Sequence, residues 1–277
     1  NRYMKEMSIE ELKTTANNIR QDIIKMLFKT GSGHTGGSLG MADIFTVLYF
    51  KILKHTPEQT NNRYRDRLIL SNGHICPVLY AALARANYFP LVKLKTLRQI
   101  NSGLQGHPHR GSLPGIETSS GPLGQGISQA VGMAMAGFMN KQNHHIFCIT
   151  SDGEHNEGQV WEAIMTAHKY KLDNLINIID NNGIQIDGLT KHIMPLGSLR
   201  KKYESFGWHV MEMNGHNIKN IINTLEKAKK IKKPVAIIAN TILGKDVSFM
   251  ENQYVWHGKA PNEEEKNKAL KELQNAK

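Results

Sequence analysis

Two hydrophobic periods alternate along the chain, and the change from one to the other predicts its architecture. From Ser8 to Phe28 the apolar positions Ile9, Leu12, Ala16, Ile19, Ile23 and Leu27 recur at the spacing of one buried helix face. Ser8 precedes that run and Glu11 follows it into the first turn, so a capping box is expected at the helix start. "GSGHTGGSLG" then breaks the helix, and "MADIFTVLYFKIL" begins another. "RLIL" reads as a short strand ending in "SNGH", "VLYAALARANYF" as a helix, and residues from Asn101 to Gly126 as irregular. "QAVGMAMAGFM" is a helix with sides so small that it must pack closely against something, with another chain the expected partner.

After this the rhythm is regular. The strands "IFCIT" and "LINIID" flank a helix around "QVWEAIMTAHKYK". The strand "HVMEM", the helix "IKNIINTLEKAKK" and the strand "VAIIANTI" follow, and "NEEEKNKALKELQNAK" reads as a terminal amphipathic helix. Apolar strands alternating with helices predict an α/β fold, a doubly wound, mostly parallel sheet with helices on both faces. No repeat or linker interrupts the pattern, so residues 1–277 are expected to form a single domain.

Composition changes this picture little. The longest apolar runs are strand-sized, so no membrane span is expected, and the polar start "NRYMKEMSIEELKTT" does not resemble a signal peptide. Two cysteines, Cys76 and Cys148, do not make a disulfide framework, and buried thiols in a cytoplasmic protein are expected. The formal charge of +11 raises a nucleic-acid reading, but the lysines are scattered and the densest run, "LEKAKKIKKP", reads as a solvated helix face. Nucleic acid is therefore not expected as a partner, whereas a positive field suits phosphorylated small molecules.

The chemistry enters at the strand ends. A crossover brings the ends of two parallel strands to one edge of the sheet, where ligands of doubly wound folds sit. Asp152 lies just past the first strand of the "IFCIT"/"LINIID" pair and Asn182 just past the second. Their oxygens are expected to converge on one hard cation, with the backbone carbonyl of Ile184 as a third ligand, and magnesium bridging to phosphates suits such a set. Gly153 permits close backbone approach, and the following helix start offers N–H groups to an anion. Read singly, "SDG" and "DNNG" are ordinary turn sequences. Spaced across one strand–helix–strand unit, they point to a diphosphate held through a divalent metal.

That spacing resembles the metal–diphosphate motif of thiamine-diphosphate enzymes, with Ser151 where the usual Gly-Asp-Gly begins. The loops "GSGHTGGSLGMAD", "RDRLILSNGH", "QGHPHRG", "GPLGQG" and "WHGKAP" narrow it: together they resemble the cofactor-binding half of transketolase, in order from about Ile19 to Pro261. The α-subunits of 2-oxo-acid dehydrogenases share the Asp…Asn motif without this histidine set, and deoxyxylulose-phosphate synthase departs at the second and third loops. The resemblance implies magnesium or calcium on Asp152, Asn182 and the Ile184 carbonyl. It places Gly153, His74 and His257 at the diphosphate, and Glu154 with Gly121, Pro122, Leu123 and Gly124 at the cofactor. It gives His34, His107 and His257 the donor's hydroxyl groups, and turns Glu157 across a subunit interface toward a catalytic glutamate of another polypeptide. His109, His155, His168 and His216 match no functional position and are expected to be surface or structural residues.

The same resemblance implies ketol transfer: a two-carbon unit passes from a ketose phosphate to an aldose phosphate, as in the pentose phosphate pathway. The resemblance does not reach the half of transketolase that carries the activating glutamate and grips the sugar phosphate, and that half is expected on another polypeptide. A separately encoded carboxy-terminal transketolase subunit is therefore expected as the partner, in a heterotetramer of two chains of each kind. The competing expectations are a subunit of another thiamine-diphosphate enzyme, of the deoxyxylulose-phosphate-synthase or 2-oxo-acid dehydrogenase kind, a cofactor-binding subunit without catalysis, and a piece of a longer transketolase.

Overall fold

In the computed structural model, residues 7–275 are described. The first six residues of the polar amino end and the last two of the tail lie outside them. The opening helix α1 (Ile9–Thr30) starts as its sequence requires. The Glu11 N–H donates to Ser8 Oγ at 3.2 Å and the Ser8 N–H donates to the Glu11 carboxylate at 2.7 Å, which satisfies two otherwise orphaned donors. Gly31, at φ +67°, ends the helix in the left-handed conformation that other residues avoid.

Strands β1 (Arg67–Leu70), β2 (Ile146–Ser151) and β3 (Leu175–Asn181) begin the main sheet. After β3 comes a small antiparallel hairpin, β4 (Ile184–Gln185) and β5 (Gly188–Leu189). β6 (His209–Asn214) and β7 (Val235–Asn240) complete the main sheet in the order β1-β2-β3-β7-β6, and every pairing in it is parallel. Alternation along β2 and β3 divides the core. Phe147, Ile149, Ile176 and Ile178 join one hydrophobic cluster with α1, while Ile146, Cys148, Leu175 and Ile179 join a second with residues of α5 (Gln125–Met139) and α6 (Gly158–Lys169). The doubly wound expectation holds, with helices over both faces.

Some elements depart from the sequence reading. The glycine-rich break is itself helical at α2 (Thr35–Gly40), and α3 (Ala42–Val47) runs into a wider turn at Leu48–Ile52. Tertiary packing explains α2: a methyl group added at Gly36 or Gly40 would meet Leu243 or the Ile242 carbonyl at 2.5 and 2.7 Å. The helix predicted across "VLYAALARANYF" is α4 (Cys76–Arg85) and stops before Asn87, whose φ is +65°. α5 starts at Gln125, before its predicted beginning. The hairpin leads into α7 (Thr190–Ile193) and α8 (Leu199–Ser205), two short helices that the sequence reading left as loop. α9 (Ile218–Ala228) and α10 (Glu263–Asn275) follow the predicted pattern. Among the described residues no helix is long and apolar enough to cross a membrane. Both cysteines are buried and unpaired.

Candidate active site

The site grows from the carboxyl edge of the sheet. Ser151 and Asp180 are register partners, so the residues that follow each strand leave side by side. The Asp152 carboxylate accepts from the Gly153 N–H at 2.7 Å, from the Gly183 N–H at 2.9 Å and from the Thr190 hydroxyl at 3.2 Å. The last two bonds tie the end of β2 to the loop after β3. Asn182 donates to Asp180 at 3.0 Å and accepts from the Ile184 N–H at 2.9 Å, which shapes the turn carrying the expected ligands.

Above this edge a cleft of about 350 Å³ is lined by His34, His74, His107, Asp152, Asn182 and His257, with Gly121, Leu123, Gly153 and Ile184 between them. A larger groove of about 590 Å³ opens beside Arg67 and Ile146, the first residues of β1 and β2. That is the amino edge, the wrong end of a parallel sheet for its ligand.

Three imidazoles meet from three separate loops. His34 lies 4.9 Å from His74 and 5.5 Å from His257 between ring centres, and His74 and His257 lie 5.2 Å apart. His107 is more exposed, with its ring against Gly121. All four are held toward the neutral form. Burial, with His257, Arg98 and His107 adding, pushes His34 down to about 4. Burial puts His74 well below the usual imidazole value and lowers His257. His107 is lowered by burial and then by Arg98. One buried nitrogen of His34, Nδ1, has no hydrogen-bond partner. Neutral rings can accept or transfer protons near neutrality.

The same shifts predict an acid limit to stability. The unfolded chain binds protons on these histidines near the ordinary value of 6.5, whereas folded His34 resists until about 4. Their contribution is therefore intact above 6.5 and is lost as pH falls toward 4. Between pH 7 and 5 the urea midpoint of the parent should fall relative to that of His34→Asn, which lacks the titrating ring. Parallel curves for the two proteins would contradict it.

The oxygen set fits a divalent cation. Burial lifts Asp152 to about 6, and burial together with the nearby Asp152 lifts Asp180 to about 7. Two such carboxylates at one edge are the environment a hard cation relieves. Among the described residues no group of three or more His, Cys, Asp and Glu gathers as a metal cluster. The candidate set instead mixes one carboxylate, one amide and one carbonyl. Gly153 borders the cleft on an uncrowded side, where an added methyl group would meet only Gln185, at 3.4 Å.

Glu154 departs from its expected place. Its side chain is fully buried, away from the cleft lining. The carboxylate accepts from the Ser71 hydroxyl at 2.6 Å, the Gly124 N–H at 2.7 Å and the Ser151 N–H at 2.9 Å. Ser71 Oγ in turn accepts from the Gly126 N–H at 3.1 Å. Glu154 therefore pins the "GPLGQG" loop from beneath. Gly124 is left-handed at φ +78°, and an added methyl group at Gly126 would lie 2.5 Å from Ser71, so both positions require glycine. Gly121 and Leu123 reach the cleft, while Pro122 is exposed beside it. Glu157 is exposed, its Cβ packed near Gly124.

Two of the unassigned histidines are structural. His155 is buried between the Ser151 carbonyl at 2.8 Å and the Tyr203 hydroxyl at 2.9 Å. His216 bridges Asp43 at 2.9 Å and the Ile242 N–H at 2.8 Å. Sequence reasoning missed Asp180, although it opens "DNNG" as the last residue of "LINIID", and it missed the hairpin residue Ile186 and the α7 residue Ile193 that wall the cleft.

The parallel sheet thus presents an Asp–Asn pair and clustered histidines to one carboxyl-edge cleft, the arrangement that the resemblance to thiamine-diphosphate enzymes implies. The family model "Transketolase, thiamine diphosphate binding domain" matches residues 12–275. The chain is 43% identical over 272 residues to a "6-deoxy-6-sulfo-D-fructose transketolase subunit SqwG" from Clostridium sp. (strain MSTE9), covering 98% of each. It is 41% identical over 268 residues to one subunit of an apulose-4-phosphate transketolase from Actinobacillus succinogenes, covering 96% of this chain and 97% of that one. A crystal structure of transketolase from Campylobacter jejuni superposes with a TM-score of 0.92 at 37% identity, over 97% of this chain and 43% of that one. The chain thus belongs to the transketolase family and carries its thiamine diphosphate-binding domain. It spans nearly all of the two single subunits but only 40% of the human transketolase it matches.

Proposed function

We propose that this chain is the amino-terminal subunit of a thiamine-diphosphate-dependent transketolase that works with a carboxy-terminal partner subunit. The observation that carries the reading is the meeting of Asp152 and the Asn182 loop at the sheet edge beneath His34, His74 and His257. The subunit names and near-complete coverage of the SqwG and apulose-4-phosphate relatives support a split enzyme. The chain is read as one domain, with the pyrimidine-binding half on the partner, in a heterotetramer of two chains of each kind in the cytoplasm.

Asp152, Asn182 and the Ile184 carbonyl would hold magnesium or calcium, which ties the cofactor's diphosphate to the sheet. Gly153 and His74 would face that diphosphate, and Gly121 and Leu123 would line the cofactor. When bound, thiamine diphosphate supplies the carbon nucleophile and the electron sink. This chain orients it, excludes water and manages protons. His34 and His257 are neutral and stand together, so they can take and return the proton of the sugar hydroxyl beside the breaking bond. His107, in the cleft lining, would bind a neighbouring hydroxyl, and the exposed Glu157 would meet the partner subunit. The sugars are a ketose donor and an aldose acceptor bearing a phosphate, or a sulfonate as in the name of the SqwG relative.

Mixing experiments test this. Ketol transfer is expected only when this chain and a carboxy-terminal transketolase subunit meet in the presence of thiamine diphosphate and magnesium. Robust transfer by the purified chain alone would refute the split-enzyme reading.

A further inference from the structure

A charge cluster stands behind the histidine pair, and none of its members lines the cleft. Its centre is Asp43 of α3, buried together with Arg20 of α1. Arg20 Nη2 donates to Asp43 Oδ2 at 2.5 Å and Nη1 to Oδ1 at 3.3 Å, while Nη1 also pairs with Asp246 at 3.2 Å. His216 Nδ1 meets the same Asp43 oxygen at 2.9 Å, and its Nε2 accepts from the Ile242 N–H at 2.8 Å. The second bond fixes the first. A ring nitrogen that accepts carries no proton, so the proton of the neutral imidazole sits on Nδ1 and is donated to the carboxylate.

Through these two arms Asp43 holds both ends of one segment, Ile242 to Asp246, just past the carboxyl end of β7. That segment is the common support of two histidine loops. Leu243, fully buried, fills the space left by the missing side chain of Gly36, and the Ile242 carbonyl fills that of Gly40. The Gly244 N–H donates to the Gly36 carbonyl at 2.9 Å. Gly36 follows closely on His34, and a methyl group added to it would also lie 3.0 Å from the carbonyl of Trp256, the residue before His257. Between the two histidine loops, the Thr35 hydroxyl donates to the Lys259 carbonyl at 2.6 Å. The 5.5 Å separation of the His34 and His257 rings is therefore built on the Leu243 wedge.

We infer that His216 is a positioning residue for the proton-transfer pair: anchored on Asp43, it holds the Ile242 N–H, keeps Leu243 seated and so sets His34 against His257. The inference rests on the ketol-transfer reading above. It adds a tautomer-locked histidine, outside the cleft, on which the geometry of proton transfer depends. Two rings that serve one hydroxyl are sensitive to small displacements, since a shift of about 1 Å can cost on the order of 100-fold in rate.

The test uses the assembled two-subunit complex with His216→Asn and His216→Gln, both of which leave Arg20 paired with Asp43. Asparagine reaches Asp43 but not the Ile242 N–H, whereas the longer glutamine can put its carbonyl oxygen where Nε2 stood. In His216→Asn the kcat for ketol transfer should fall about 10- to 100-fold, the usual cost of losing a group that orients another. The Kd for thiamine diphosphate with magnesium should stay within about threefold of the parent, as should the kcat of His216→Gln, the range of an inert change. Should His216→Asn fail to fold, Leu243→Val shortens the wedge directly and should give the same loss of kcat at unchanged cofactor affinity. Parental kcat in a folded His216→Asn or Leu243→Val complex would overturn the inference. So would an equal loss in the asparagine and glutamine variants, or a kcat that falls only in step with cofactor affinity and urea midpoint, the mark of a purely structural bond. If the unmodified complex transfers no ketol unit at all, the functional reading fails first and the inference with it.

Discussion

Glu154→Ala is expected to destabilise the folded chain by about 3 kcal/mol or more, since each buried donor left unpaired costs roughly 1–3 kcal/mol. The carboxylate is fully buried and serves three donors at once: the Ser71 hydroxyl, the Gly124 N–H and the Ser151 N–H. Burial raises its carboxyl above the usual range, opposed by those same donors. Glu154→Gln keeps a side-chain carbonyl of the same size, so it should lose less. Ser71 passes the restraint on to the Gly126 N–H, so the alanine variant should also loosen the loop over the cofactor and weaken cofactor binding. Urea unfolding read by linear extrapolation measures the first effect. A Glu154→Ala chain within about 0.5 kcal/mol of the parent, the range of an inert substitution, would show that the loop is held by something else.

Much of the fold and part of the site were legible in the sequence. The central strands are apolar runs bounded by Asp, Asn and Gly, and such runs admit few readings. Asp152 and Asn182 follow from them because a parallel crossover delivers both strand ends to one edge. The capping box at Ser8 and Glu11 is a purely local signal. The histidines were different: no periodicity links His34, His74 and His257, and only the family resemblance brought their loops together.

What escaped the sequence depends on packing across the chain. α2 is built from glycines with poor helix propensity, and it forms because their missing side chains admit Leu243 and Ile242. The hairpin β4–β5 has two residues in each strand, too few for alternation to register. Glu154 was placed at the cofactor by its neighbours in sequence, yet the short turn Gly153–Asn156 rotates it inward to Ser71 and Gly124.

The largest effect is expected at the Asp152–Asn182 pair. Asp152 has two tasks here: it is a candidate metal ligand, and it accepts the Gly183 and Thr190 donors that hold the second ligand loop in place. Asp152→Asn keeps a side-chain oxygen for those donors while removing the charge a cation needs, so it separates metal binding from loop structure. It should fold normally and lose affinity for thiamine diphosphate. The decisive measurement is a calorimetric titration of thiamine diphosphate, with magnesium present, into the assembled complex carrying Asp152→Ala together with Asn182→Ala. Affinity should fall by at least about 100-fold relative to the parent complex, given what metal-site disruption ordinarily costs. Unchanged binding in that double variant would contradict the proposal that these two strand ends anchor the cofactor.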